Sequence, residues 1–437
     1  MRNRVSRRHM LKTTTLAGAG ALLSAGRVWG RGQSPNEKLD FAGIGVGGRG
    51  AADVNGAAAA GANVVALCDV DEARSAGTLK RYPKAKKFKD FRRMLGAVEK
   101  QIDAVTVGTP DHSHAPPAAM AMKMGKHCYC EKPLTRTVHE ARTLQELSIT
   151  NKLVTQLGTQ IHAGDNYRRA VELVTSGAIG PVDEAHVWCG ASYHGGDRPK
   201  DTPPVPPTLD WDLWLGPAPF RPYHPAYVPF KWRGWWDFAT GGPGDFFCHY
   251  TDLAYWALGL KYPTHVASEG FQPVHPESCH KWMIVRFQFP ARQGKPPVKL
   301  TWYDGGKKPA FEELQKKLGG GKIPPWGSGV LFVGSKGMLL ADYGRRVLLP
   351  ESKFADFKAP EPTILNSIGH HKEWVEACKT GGPTTCNFAY SGPLTESALL
   401  GAVSYRTGSP RSSRQPTAPP PISSSAASIA KGGLCEG

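Results

Sequence analysis

Three side chains stand where proton chemistry would be possible. Lys132 closes the run Cys130-Glu131-Lys132-Pro133, which follows an apolar strand-like segment. Asp245 and His249 are four residues apart and Asp252 follows three later, so one helix face would carry all three. A lysine at a buried strand end is either a paired structural ion or a group aimed at a ligand. The acid and histidine also have a plain reading, Asp245 as a helix cap and His249 as a satisfied core side chain. Brought together, an ammonium, a carboxylate and an imidazole suit proton transfer and the stabilisation of a developing alkoxide.

The elements that must position these groups alternate regularly. Apolar strand-like runs at 39–44, 64–69, 102–110, 126–133 and 153–160, with a short one near Lys87-Phe88, are separated by helical patterns. Those helices are expected at 51–60, 73–81, 91–98, 118–124 and 138–148. Short alternation of this kind predicts a parallel sheet. Between the first strand and helix lies Gly45-Val46-Gly47-Gly48-Arg49-Gly50, the spacing of a dinucleotide loop. Its glycines allow a tight turn, a close approach of backbone to a pyrophosphate and close helix packing. Asp69 ends the second strand 19 residues beyond Gly50, where an acid suits the ribose hydroxyls of NAD. Arg49 and Arg74 lie close enough in sequence to leave room for NADP. Thr109-Pro110-Asp111-His112-Ser113-His114 ends the fourth strand. No third His or Cys ligand lies nearby, so no metal is expected, and the segment reads as a loop bordering the cofactor.

In these motifs the chain resembles the Gfo/Idh/MocA oxidoreductases, which include glucose–fructose oxidoreductase and inositol dehydrogenase. The resemblance rests on Gly45–Gly50, Cys68-Asp69-Val70-Asp71, Thr109–His114, Glu131-Lys132-Pro133 and Gly244-Asp245-Phe246-Phe247-Cys248-His249, in that order. It implies an α/β chain with an N-terminal Rossmann dinucleotide-binding domain (36–157). An α+β domain with a large, mostly antiparallel open sheet follows (158–408). It further implies hydride transfer between a nicotinamide and a carbinol of a sugar, sugar derivative or cyclitol. The cofactor is expected to be NAD in preference to NADP, tightly held, bordered by Gly45, Gly47, Gly48, Arg49, Gly50, Asp69, Thr109, Pro110, His112, His114 and Glu131. Lys132 is expected to contact the reacting oxygen, with His249 as general base and Asp245 orienting it or touching a neighbouring hydroxyl. Family members that oxidise a sugar transiently give a second reading, an NAD-dependent glycosidase. The family's exposed sheet implies a homo-dimer or tetramer.

The second half reads as strands at 182–190, 282–289, 298–303 and 329–333, the last turning into a hairpin. An aromatic insertion spans 211–236, where Trp235 and Trp236 either stack on a sugar or pack a satellite core. Gln160, Tyr167 and Arg168, at the junction of the halves, are further substrate candidates.

Charge narrows the function. Of the formal +17, seven positive charges fall in residues 1–31 without an acid, and a net two fall in 409–437. The remaining charge of about +8 is scattered, with no basic-aromatic repeat, which argues against nucleic acid. Ser6-Arg7-Arg8-His9-Met10-Leu11-Lys12 and the small, apolar run after it form a twin-arginine export signal over 1–30. The export machinery is then a partner and the location periplasmic, with membrane tethering if the signal stays uncleaved. The nine cysteines show no CxxC pair, and those in apolar segments are expected to be free, buried thiols. Ser, Pro and Ala dominate 409–437, and the codons of Ser428–Gly433 admit a different peptide one base earlier. That tail is expected to be a disordered frameshift product.

Overall fold

Each apolar run of the first half is too short for a helix and too buried for a surface strand, so the runs pair side by side. The computed structural model describes residues 38–319, 321–411 and 413. The chain begins with β1 (Asp40–Ile44), α1 (Arg49–Ala59), β2 (Asn63–Cys68) and α2 (Glu72–Arg81). It continues through β3 (Lys86–Phe88), α3 (Phe91–Val98), β4 (Ala104–Val107) and α4 (Ala115–Lys123). β5 (His127–Cys130), α5 (Val138–Thr150) and β6 (Thr155–Leu157) complete the first layer. Local chemistry sets the helix starts: Asp71 caps α2, Asp90 caps α3, and Thr137 with Glu140 forms a capping box on α5.

The six strands are all parallel, in the order β3-β2-β1-β4-β5-β6. Every residue of β4 is buried, as a strand covered on both faces must be. Strand order reverses between β1 and β4, and the crevice at such a reversal is where this fold takes ligands. The loops carrying Gly45, Asp69, Thr109 and Glu131 all leave the sheet at that end.

After α6 (Asp165–Thr175) the chain builds a second sheet from β7 (Val182–Trp188) onward. Helix α7 (Trp211–Leu215) and α8 (Cys248–Leu258) precede β8 (His265–Gly270), β9 (Met283–Phe289) and β10 (Val298–Tyr303). Then come α9 (Phe311–Lys317), β11 (Gly329–Gly334), β12 (Gly337–Ala341) and β13 (Arg346–Leu349). The order is β13-β12-β11-β7-β10-β9-β8, antiparallel except for β7 beside β10. Polar residues interrupt β8 and β13 has four residues, which is why neither stands out in the sequence.

The closing helices α10 (His370–Thr380) and α11 (Phe388–Thr407) return to the first sheet. Trp374, Val375 and Cys378 pack with Leu39, Phe41, Val54 and Tyr129. The amide of Leu157 donates to Cys386 O at 2.9 Å, tying the approach to α11 onto the edge strand β6. Helix α8 differs from the single helix expected to carry Asp245, His249 and Asp252. A π-helical turn, Pro243–Phe247, delivers Asp245, and α8 begins only at Cys248. Asp252 is fully buried, its carboxylate accepting from His162 at 2.9 Å and from Tyr390 at 2.8 Å, so it does not share the site of Asp245 and His249.

All eight cysteines among the described residues are free and buried. The signal segment 1–30 lies outside the described residues, as does 414–437. The start of the tail departs from expectation: Arg411 exchanges backbone hydrogen bonds with Val266 on β8 at 2.7 and 2.8 Å, and the amide of Ser413 donates to Pro263 O.

Candidate active site

A cavity of about 720 Å³ opens at the reversal point between β1 and β4, within the usual range for small-molecule sites. Gly45, Gly47, Arg49, Asp69, Thr109, Pro110, His114, Glu131, Lys132, Gln160 and His249 border it, which brings most of the sequence candidates together.

The glycine loop is as tight as the chain permits. Gly45 has φ +70°, and a Cβ at Gly50 would lie 1.8 Å from Gly45 O, so side chains at either position would pry helix from loop. Gly48 and Gly50 shape this turn without lining the cavity. Asp69 braces it from β2: one carboxylate oxygen accepts from the amides of Val46 (2.8 Å) and Gly47 (3.0 Å), the other from Asp71 (2.9 Å). An anion-binding turn at the start of α1, with an acid beside it, fits a dinucleotide diphosphate and its ribose.

Lys132 leaves the end of β5 and forms an ion pair with the Asp245 carboxylate, also donating to Asp245 O at 3.0 Å. Asp245 sits behind the lysine rather than on the cavity wall. Its other oxygen accepts from the Tyr193 hydroxyl at 2.6 Å and faces Arg233 Nε at 3.5 Å. Burial acts to raise this carboxyl, but the Lys132 and Arg233 cations hold it down at about 2. Asp245 therefore makes no hydrogen bond to His249, contrary to the expected orienting contact. His249 reaches the cavity with its Nδ1 buried and unpartnered. Burial, then the Lys132 ammonium, pushes its imidazole down to about 3, far from the near-neutral value expected of a general base. The ring is neutral, an acceptor with little driving force to hold a proton.

Asp111, passed over in the sequence, is nearer in character to an acid–base group. It lines the cavity, and burial pushes its carboxyl up to about 7 against the pull of Arg233 and Lys132. Glu131 accepts from Arg49 Nε (3.1 Å), Gln160 Nε2 (2.7 Å) and the Lys132 amide (3.2 Å). Burial and then the nearby Asp53 carboxylate raise it to about 8.

Several candidates have other tasks, on the cavity wall or away from it. His112 is buried between Trp214 and Phe238, donating to Trp214 O, and packs the aromatic insertion. His114 lies between Pro133 O and Thr109 O, each 2.7 Å away, and joins the two cofactor-side loops. Gln160 serves Glu131 and the Tyr129 hydroxyl. Tyr167 is buried and donates to His249 O, so it supports the helix behind the site. Arg168 pairs with Glu373 at 2.7 Å. Trp235 and Trp236 are buried, their indole N–H groups spent on Ala226 O and His275 O. The insertion is a satellite core that nonetheless lends Trp214, Phe230, Trp232 and Arg233 to the cavity. A cue for Arg233 was present in its place between two aromatics just before the Asp245 turn.

Comparison with known proteins agrees with this arrangement. The Gfo/Idh/MocA model of an oxidoreductase family with an NAD-binding Rossmann fold matches residues 39–159, and that of its C-terminal alpha/beta domain matches 175–294. Together they span more than half of the chain. Inositol 2-dehydrogenase of Salmonella typhimurium is 28% identical over 142 residues, 32% of this chain and 41% of that protein. A glycosyl hydrolase family 109 protein of Solibacter usitatus is 31% identical over 212 residues, 44% and 46% of the two chains. The matched stretch thus spans less than half of these curated relatives. Among solved structures, the WlbA dehydrogenase of Chromobacterium violaceum, in complex with NADH and UDP-GlcNAcA, superposes with TM-score 0.61 at 16% identity, covering 88% of this chain and 99% of that one. Levoglucosan dehydrogenase with NADH and levoglucosan gives 0.56 at 18%, covering 87% and 100%. At such identities these two establish the fold.

The raised carboxyls have a consequence for stability. Asp111 and Glu131 hold protons in the folded protein that they lose when unfolded, so their contribution disappears as pH rises through 7 and 8. The histidines that burial holds neutral, His112, His114, His127, His249 and His370, take up protons on unfolding near pH 6.5 and so act in the opposite direction. Denaturant titrations should show the wild type losing on the order of 2 kcal/mol between pH 6.5 and 8 relative to the double variant Asp111→Asn with Glu131→Gln, in which the histidine contribution is the same.

Proposed function

Because the chain belongs to the Gfo/Idh/MocA oxidoreductase family, with its NAD-binding Rossmann domain, we propose that it transfers a hydride between nicotinamide and a carbinol of a sugar, sugar derivative or cyclitol. The observation that carries this reading is Lys132. Its ammonium is anchored by Asp245 yet borders the cavity beside His249, at the strand end next to the glycine turn. The NAD or NADH bound in solved structures with this fold supports the choice of cofactor.

When bound, the cofactor supplies the hydride acceptor or donor. The loop Gly45–Gly50 would hold its diphosphate, and Asp69 its ribose. Lys132 stabilises the alkoxide that develops at the substrate oxygen. Asp245, held ionised against burial by the Lys132 and Arg233 cations, anchors and aims the lysine. His249 accepts a hydrogen bond from a substrate hydroxyl, and Asp111 is the neighbouring group that exchanges a proton near neutral pH. Removing the charge with Lys132→Ala should lower kcat by about 10²- to 10⁴-fold while NADH fluorescence titrations give an unchanged Kd. Near-normal turnover in that variant would remove the lysine from the chemistry.

A second reading, a glycosidase that oxidises, eliminates, hydrates and re-reduces with a retained cofactor, is supported by the 31% identity to the glycosyl hydrolase family 109 protein. Chromogenic glycosides separate the two. Release of the aglycone with no net change in NADH absorbance supports the glycosidase, and absorbance change without release supports the dehydrogenase. The N-terminal Arg7-Arg8 pattern supports export by the twin-arginine route to the periplasm, and cell fractionation should find an Arg7→Lys, Arg8→Lys variant retained inside. The broad second sheet, similar in kind to that of the family, supports a homo-oligomer.

A further inference from the structure

The cations around Asp245 are not equally employed. Lys132 and Tyr193 take one carboxylate oxygen each. Arg233 faces the second oxygen only at 3.5 Å, and its Nε has no hydrogen-bond partner despite being buried. Its single described hydrogen bond is a long one, 3.4 Å from Nη1 to Phe230 O. A guanidinium has five N–H donors, so most of this one's capacity is unspent.

Arg233 is nevertheless held firmly. Its Cζ lies 4.2 Å from the ring centre of Trp232 and 4.3 Å from that of Phe230, stacked against two aromatic faces that also line the cavity. Stacking fixes the plane of the guanidinium without occupying its in-plane donors, which are the ones that bind a carboxylate in fork geometry. The charges facing it are Lys132, Asp245 and Asp111, with the neutral His249 beyond. When Asp111 is protonated, two cations face one anion and the substrate end of the cavity carries one uncompensated positive charge.

We infer that Arg233 is a substrate-specificity residue and that this cavity takes a carboxylate-bearing sugar, a uronate or aldonate, with the substrate carboxylate on the free edge of the Arg233 guanidinium and a carbinol towards Lys132. The inference rests on the sugar-oxidoreductase reading and sharpens its substrate class. It assigns a task to the unspent donors of an arginine whose charge otherwise helps to hold Asp245 ionised. A neutral sugar would leave the guanidinium's donors unpaired in a largely buried site, which disfavours it.

The test is binding, read from the fluorescence of the tryptophans lining the cavity, on the full chain loaded with NAD. D-glucuronate, D-glucose and glucose 6-phosphate are the probes. D-glucuronate should bind about 10- to 100-fold more tightly than D-glucose, the range of a charge-assisted bidentate contact. Arg233→Gln should abolish that preference, weakening D-glucuronate about 10- to 100-fold more than D-glucose, and Arg233→Lys should keep part of it. A brace acting only on Asp245 would instead weaken both sugars equally in Arg233→Gln, and that result would overturn the inference. So would equal affinity of the wild type for D-glucuronate and D-glucose, or a preference for glucose 6-phosphate over D-glucuronate. The readout needs no turnover, so its failure is distinct from failure of the functional reading. D-glucuronate selectivity without hydride transfer sinks only the latter, and hydride transfer on D-glucose without selectivity sinks only the former.

Discussion

An ion pair joins the two halves of this protein where the chemistry would occur. Lys132 stands at the end of a parallel strand, and Asp245, 113 residues later, on a π-helical turn that opens α8. Both side chains are more than four-fifths buried, so each would cost several kcal/mol to desolvate alone. Their attraction, the Tyr193 hydroxyl and the Arg233 cation together make burial tolerable. The pair thereby fixes the distance between the dinucleotide turn and the second sheet's helix. The π turn serves this arrangement, because an added residue there lets Asp245 face Lys132 while α8 runs on with its own packing.

On the other side of Lys132 lies a network whose members share too few cations. Glu131 and Asp53 are buried acids served chiefly by Arg49, with His371 reaching Asp53 at 3.1 Å from α10. Gln160 and the Tyr129 hydroxyl complete the set. Burial and then the Asp53 carboxylate raise Glu131, while the Lys132 and Arg233 cations hold Asp245 down one residue's reach away. The protein thus separates a carboxylate kept ionised from carboxyls kept near neutrality, the arrangement that gives acid and base roles to chemically identical groups. That network also ties α10 to the dinucleotide turn, so the last helices of the chain are part of the first domain's mechanics.

The aromatic insertion illustrates how a packing unit acquires a functional edge. Trp211, Trp214, Tyr227, Trp235 and Phe238 form a core of their own, in which the Trp211 and Trp235 indoles and the His112 imidazole each donate to a carbonyl. Its rim, where Phe230, Trp232 and Arg233 emerge beside Trp214, meets the cavity. Rigid rings there hold a charged group in a defined plane, which a flexible loop would not.

Most of the first domain was legible without coordinates, because its signals are local: apolar runs, caps such as Thr137 with Glu140, and the glycine spacing after β1. Strand polarity follows from the short connections, and the positions of Asp69, Thr109 and Lys132 follow from strand ends. The second sheet was only partly legible, since β8 and β13 owe their strand character to neighbours far away in sequence. What tertiary structure alone decided is which way each candidate points. His112 and His114 are two residues apart, yet one packs an insertion a hundred residues later and the other faces the cavity. Trp235 and Trp232 part in the same way, and Asp252 leaves the stripe that helical spacing assigned it. Spacing specifies which side chains share a face of their own element, whereas the environment that buries, charges or frees them is built by residues brought in from elsewhere.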